Sequence, residues 1–196
     1  MPYHHGDLRR ALLDTALAAI AEHGPAAVSL RDVARRAGVS HAAPTHHFGD
    51  KTGLLTALAA EGWTLLADAL TATARRDPRF SELGVTYVVF AVSHPAHFAV
   101  MRSPGMTKGA DPGLAAAQER AAAQLQAGAA RHSDPAAAAD PLTATAGWAM
   151  VHGLAALILE GSITPDPDVE TLARAVTNQL GTPELNPEIS PGVTNR

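Results

Sequence analysis

The chain has 196 residues, with 15 Lys and Arg against 19 Asp and Glu, 10 His and no Cys. That length supports one compact unit or two small ones, and the missing cysteine excludes a disulfide framework, a thiol nucleophile and a Cys-based zinc site. Abundant alanine and only 4% aromatic residues favour close-packed helices over strands; the formal charge of −4 argues at first against a nucleic-acid partner.

The opening MPYHHGDLRR lacks the apolar stretch of a secretory signal, and no apolar run approaches the roughly 20 residues of a membrane span, so a cytoplasmic protein without membrane contact is expected. A first helix is predicted over about 7–23, with Leu8, Leu12, Ala16, Leu17 and Ile20 on one face at 3.6 spacing. A second starts at Ser29 and ends before Gly38; Leu30, Val33, Ala34 and Ala37 form its buried stripe, and Ser29 with Asp32 resembles a capping box. A short third helix spans 40–48, and a long fourth begins after Gly49-Asp50 and runs through Leu54, Leu55, Leu58, Trp63, Leu66 and Leu70. Helices over 80–93 and 95–102 follow, then a Gly/Pro-rich loop at 103–111, an Ala-rich helix over 112–131, and two last helices over 141–160 and 167–180. Five Asp-Pro pairs, beginning at Asp77, Asp111, Asp134, Asp140 and Asp166, read as helix starts, because Asp caps and Pro suits the first helical position. Gly24, Gly38, Gly161 and Gly181 read as stops.

The result is an all-α chain of about nine helices. Residues 1–50 are expected to form an N-terminal unit, 51–181 a larger helical unit, and 182–196, rich in Pro, Asn and Thr, a disordered tail.

The stretch VSLRDVARRAGVSHAAPTHHFGDKTGLL, residues 28–55, carries the function. It reads as helix, tight turn at Gly38, helix. Leu30, Val33 and Ala34 anchor the first helix, Pro44 and Phe48 the second, and Ser40 caps the second. His41, Ala42, Thr45 and His46 are then left exposed. In this geometry the second helix presents its N-terminal half to the major groove, where small residues lie close to bases and His and Thr offer donors and acceptors.

These residues resemble the DNA-binding domain of the tetracycline-repressor (TetR) family of transcriptional regulators over residues 7–60. The resemblance implies that 1–50 is a helix-turn-helix DNA-binding domain and 51–181 an all-helical domain for ligand binding and dimerisation, that the protein is a homodimer, and that a small molecule relieves its repression at a palindromic operator. It also implies the contacts. Ser29 matches a hydroxyl that touches phosphate, Ser40 and His41 open the recognition helix, and Ala42 and Ala43 face the groove. Thr45 stands where the family usually has a backbone-gripping tyrosine, His46 and His47 face the DNA, and Lys51 matches a phosphate-binding lysine. WAMVHG, residues 148–153, and HPAHFAVM, residues 94–101, resemble the Trp-His-Gly branch of that family's C-terminal domains.

Charge is unevenly placed. Residues 1–61 hold six Lys and Arg against six Asp and Glu, so the whole acidic excess lies beyond them. The reader is neutral, which predicts modest non-specific affinity. The large side chains Phe80, Tyr87, Phe90, Met101, Met106, Trp148 and His152 are the candidate ligand-pocket lining, with ordinary core as the competing role; His152 is either a pocket group or a core histidine bonded to a carbonyl. The pairs His4-His5, His46-His47 and His94-x-x-His97 lack ligand spacing or a nearby carboxylate, so no metal and no cofactor is expected. Without a P-loop, a Gly-x-Gly-x-x-Gly or a Gly-x-Ser-x-Gly elbow, an enzyme is disfavoured; a helical small-molecule binding protein is the alternative to a regulator. Dimerisation is assigned to the last two helices, with Ala144, Gly147, Val151 and Ala155 small enough for close approach across the axis.

Overall fold

Leu12, Ala16, Ala19 and Ile20 recur at helical spacing and are at most 3% exposed, which gives α1 (His5–Ala27) one dry face. This computed structural model describes residues 5–106, 111–132 and 134–180. Among them are ten α-helices, a short 3₁₀ turn and no strand. After α1 come α2 (Leu30–Arg36), α3 (Ala42–Phe48), α4 (Lys51–Arg76), α5 (Phe80–Ser93) and α6 (Pro95–Met101). Then follow α7 (Pro112–Ala129), α8 (Pro135–Ala139), α9 (Thr143–Leu159) and α10 (Val169–Thr177). The short helix α8 begins at the expected Asp134-Pro135 start, although no helix range is predicted there. Gly181 and the expected disordered tail lie outside the described residues, as do residues 107–110 of the 103–111 loop.

Only two of the five Asp-Pro pairs start helices. Asp111 accepts the Leu114 N–H at 2.8 Å to open α7, and Asp134 accepts the Ala136 N–H at 2.9 Å to open α8. Asp77 instead ends α4, where its carboxylate takes the Arg79 N–H and guanidinium in a turn that occupies it before α5 begins. Asp140 likewise turns onto the Leu142 N–H at 2.8 Å, and α9 starts at Thr143. Asp168 displaces Asp166 as the cap of α10, because it accepts both the N–H and the hydroxyl of Thr171.

Two cores share the long helix α4. The first joins Leu12, Leu13, Ala16, Val28 and Val33 to Leu54, Leu55, Leu58 and Ala59 of α4, and is completed by Val100 of α6, Met106 and Leu114 of α7. The second joins Leu66, Ala67 and Leu70 of α4 to α5, to Phe98 of α6, and to Ala121, Val151, Leu154 and Ala173. The helix α4 has the length and apolar average of a membrane span, yet most of its leucines turn inward while Thr52, Asp68, Arg75 and Arg76 face solvent. Helices α5 and α6 meet at 105° around His94, which folds α6 back onto α1 and α4.

The small residues of α9 face the opposite way from the expectation. Ala144, Val151 and Ala155 are 9%, 4% and 0% exposed, and Gly147 is buried with them inside the protomer. The reason is the period: these positions share a stripe with Leu154, which packs into the second core. The outward stripe is Leu142, Ala146, Ala149, Gly153 and Leu157, with Leu142 66% and Leu157 41% exposed.

Candidate functional site

The turn between α2 and α3 is built by Gly38, whose φ of 67° an L side chain rarely adopts. Its neighbour Val39 donates its N–H to the Ala34 carbonyl at 3.0 Å and tucks its side chain against the first core. Ser29 caps α2 by accepting the Asp32 N–H at 3.2 Å. Asp32 does not complete the reciprocal box; its carboxylate holds Arg35 and Arg36, and Arg36 reaches Glu22 of α1 at 2.7 Å. Of these pairs only Arg36–Glu22 joins α2 to α1. Ser40 supplies no side-chain cap for α3; His41 is the N-cap residue, and Ser40 contributes its carbonyl, which accepts the Ala43 N–H at 3.0 Å.

Buried Pro44 and half-buried Phe48 anchor α3, and the Arg9 guanidinium lies 5.4 Å from the Phe48 ring centre. The opposite face is open: Ser40, His41, Ala42, Thr45 and His46 are exposed, and Ala43 and His47 are half-buried beside them. The His46 and His47 rings meet edge-on at 5.4 Å. Lys51, at the start of α4, donates to the Ala26 carbonyl at 2.5 Å and so ties α4 to the end of α1. Arg31 was not singled out from the sequence; it is exposed on α2 and forms no ion pair among the described residues.

A cavity of about 380 Å³ opens in the second core between α4, α5, α7, α9 and α10. Trp63, Leu66 and Leu70 line it from α4, Leu83 and Gly84 from α5, Ala121 and Leu125 from α7, and Val151 from α9. Three of the seven sequence candidates, Phe80, Tyr87 and Trp148, also line it. The other four lie elsewhere. Phe90 is buried and stacks on His94 at 4.7 Å, Met101 packs against Gly62 of α4, and Met106 belongs to the first core. His152 sits behind the wall, with its Nδ1 2.8 Å from the Tyr87 hydroxyl. Burial pushes the Tyr87 phenol up to about 12, against the smaller opposing pull of Trp148 and Arg102; burial, then Arg102, holds His152 below its ordinary value.

Among the described residues, no charged one lines the cavity. Two buried polar atoms in its lining residues have no hydrogen-bond partner among the described residues: the Trp63 indole N–H and the Gln118 Oε1. Gln118 lay outside the sequence candidates although it occupies the buried stripe of α7 with Leu114, Ala117 and Ala121. A lone amide on an apolar stripe was the available signal. No group of three or more His, Asp and Glu with metal-holding geometry occurs among the described residues.

Three connections join cavity and reader. The helix α4 contributes to both cores. Glu61 of α4 accepts from Arg10 of α1 at 2.6 Å and lies 3.0 Å from His97 Nε2 of α6. Gln118 donates its Nε2 to the Met106 carbonyl at 3.3 Å, and the Met106 side chain packs in the first core.

Comparison with known proteins gives two family matches. Residues 12–58 match the family described as bacterial regulatory proteins, tetR family, and residues 80–180 match the Tetracyclin repressor-like C-terminal domain. The HTH-type transcriptional regulator BetI of Agrobacterium fabrum is 51% identical over 47 residues, which are 24% of this chain and 23% of that protein. The chain thus spans about a quarter of the length of that curated relative. A protein of unknown function from Rhodococcus sp. RHA1 is 32% identical, with a TM-score of 0.74 over 92% of this chain and 96% of the other. The multidrug binding protein EbrR, solved with imidazole, is 27% identical with a TM-score of 0.57 over 93% of this chain and 94% of its own.

Proposed function

The chain belongs to the tetR family of bacterial regulatory proteins, and from that premise we propose that it is a dimeric repressor that a small molecule releases from a palindromic operator. The observation that carries this reading is the sharing of α4: one continuous helix is wall to the cavity and pillar to the reader. Filling the cavity against Trp63, Leu66 and Leu70 displaces α4 at one end, and Leu54, Leu55 and Leu58 carry the shift to α1–α3. EbrR is named a multidrug binding protein, which supports a small-molecule ligand for this fold.

In this proposal the exposed face of α3 enters the major groove. His41, Ala42, Ala43, His46 and His47 meet base edges, while Ser29, Ser40, Thr45 and Lys51 hold phosphates. Two protomers associate through the outward stripe of α9, where Leu142 and Leu157 flank Ala146, Ala149 and Gly153. Beyond the backbone of α9 itself, no described atom lies within 4 Å of where a Gly153 side chain would start, so a second helix can approach closely. The dimer sets two recognition helices on half-sites about 34–36 Å apart, or a multiple of that. A coupling of about 1–3 kcal/mol weakens operator binding roughly 5–150-fold. The protein works in the cytoplasm, where the DNA is.

The test is a gel shift with DNA flanking the protein's own gene, at several salt concentrations. Retardation by a palindromic segment, reversed by a small molecule, is the expected result. No bound segment at any salt concentration overturns the reading.

A further inference from the structure

Resting on the reading of the cavity as the effector site, we propose that its ligand is an uncharged, hydroxylated ring compound that accepts the Trp63 N–H and donates to Gln118 Oε1. The walls select the frame. Leucine, alanine, valine and aromatic side chains from five helices make the lining, so a ligand fits there by apolar surface. A volume of about 380 Å³ lies at the small end of the range for ligand pockets and suits a fused two-ring skeleton.

The polar atoms select the functional group. Thr177 spends its hydroxyl on the Arg174 carbonyl at 3.3 Å, and the Tyr87 hydroxyl is paired with His152 at 2.8 Å. The Trp148 indole belongs to a half-exposed side chain that solvent reaches; the buried atoms with no partner among the described residues are one donor, Trp63 Nε1, and one acceptor, Gln118 Oε1. The amide cannot be turned around, because its Nε2 already donates to the Met106 carbonyl and a flip would set oxygen against oxygen. Gln118 is 8% exposed, so water from bulk does not serve its oxygen freely. Both atoms belong to side chains that line the one cavity, and a buried donor and acceptor left unpaired bear a desolvation cost that a matching ligand removes.

Each simpler ligand class leaves something unpaired. A hydrocarbon satisfies neither atom, and a ketone or ether satisfies Trp63 alone. A carboxylate cannot donate and finds no cation in the lining; an ammonium finds no anion there. Hydroxyl groups accept and donate, and they carry no charge.

Calorimetric titration of the full-length protein, without DNA, tests this with four probes: naphthalene, 2-naphthol, 2,6-dihydroxynaphthalene and 2-naphthoate. At least one hydroxylated probe should bind about tenfold or more tighter than naphthalene, with naphthoate the weakest of the four. That preference should shrink to about twofold in Gln118→Met, which keeps the side-chain length, and in Trp63→Phe, which keeps a ring. The second variant keeps the test open if the first loses its fold, which circular dichroism reads. Equal binding of naphthalene, tightest binding of naphthoate, an undiminished hydroxyl preference in folded variants, or no binding of any probe overturns the proposal. A gel shift with the same protein separates the two readings. Probe binding without operator binding removes the regulator and leaves the ligand class standing, whereas operator binding with no hydroxyl preference removes the ligand class alone.

Discussion

Thr45 and His41 stand on the same exposed face of α3, but their chemistry assigns them different work. In the proposed complex the short Thr45 hydroxyl contacts phosphate, which is the same at every base pair. Thr45→Ala should therefore weaken operator and non-operator DNA alike, measured as parallel losses in a gel shift. In the same proposed complex the His41 imidazole, at the helix start, reaches a base edge. His41→Ala should cost about 1–3 kcal/mol on the best operator and much less on mismatched ones, which a competition series reads as relaxed preference. Glu61 gives a different kind of prediction. Burial would raise its carboxyl, but the hydrogen bonds from Arg10 and His97 outweigh burial and hold it below the usual carboxylate range. A depressed folded value means that the unfolded chain binds the proton first. The stabilisation is present above the ordinary glutamate value of about 4.3 and is lost as the pH falls through the lower folded value. Thermal melts between pH 7 and pH 3 should show Glu61→Gln less stable at neutrality and the gap to wild type closing in acid.

At the scale of elements, what the sequence made legible follows from periodicity. The 3.6 spacing of Leu12, Ala16 and Ile20, and of Leu30, Val33 and Ala34, separates inward from outward faces before any neighbour is known. The same logic left Ala42, Thr45 and His46 on the open side of α3, where the structure has them. The cavity was less legible because its walls depend on how five helices cross. Leu66, Leu83 and Ala121 are ordinary core residues until the crossing leaves a void between them. Size alone nominated Phe90, Met101 and Met106, which fill contacts elsewhere. Loop chemistry was read least well, since a carboxylate that caps a helix and one that closes a turn look alike in an Asp-Pro pair. One junction is sharply constrained. At Gly53, whose N–H is accepted by Asp50 at 2.8 Å, an added Cβ would overlap the Phe48 carbonyl oxygen. Gly53→Ala gains up to about 1 kcal/mol of helix propensity but must push the end of α3 off α4. It should lose about 1–3 kcal/mol net, seen as a melting temperature lowered by several degrees with weakened DNA binding.

At the scale of the molecule, the exposed leucines of α9 set the association in the proposed dimer. Leu142 and Leu157 lie at the two ends of a stripe whose middle is alanine and glycine. An interface of that shape is intolerant of charge, because a guanidinium buried against a symmetry copy meets its own image. Leu157→Arg should give a monomer by light scattering at micromolar concentration, with helicity unchanged and operator affinity lost. The acidic body also bears on the proposed DNA complex. All of the −4 excess lies outside residues 1–61, so attraction at long range is weak and recognition rests on fit and spacing.

The first core has a consequence for anyone who would transplant this reader. Its side chains come from α1, α2 and the first half of α4, but also from Val100, Met106 and Leu114, which arrive much later in the chain. A hybrid sensor spliced at residue 50 would strip that core of Leu54, Leu55 and Leu58 as well as its three distant guests. The portable part is therefore a shape held together by two separated stretches of sequence, and a graft must carry both or redesign the surface that one of them covered.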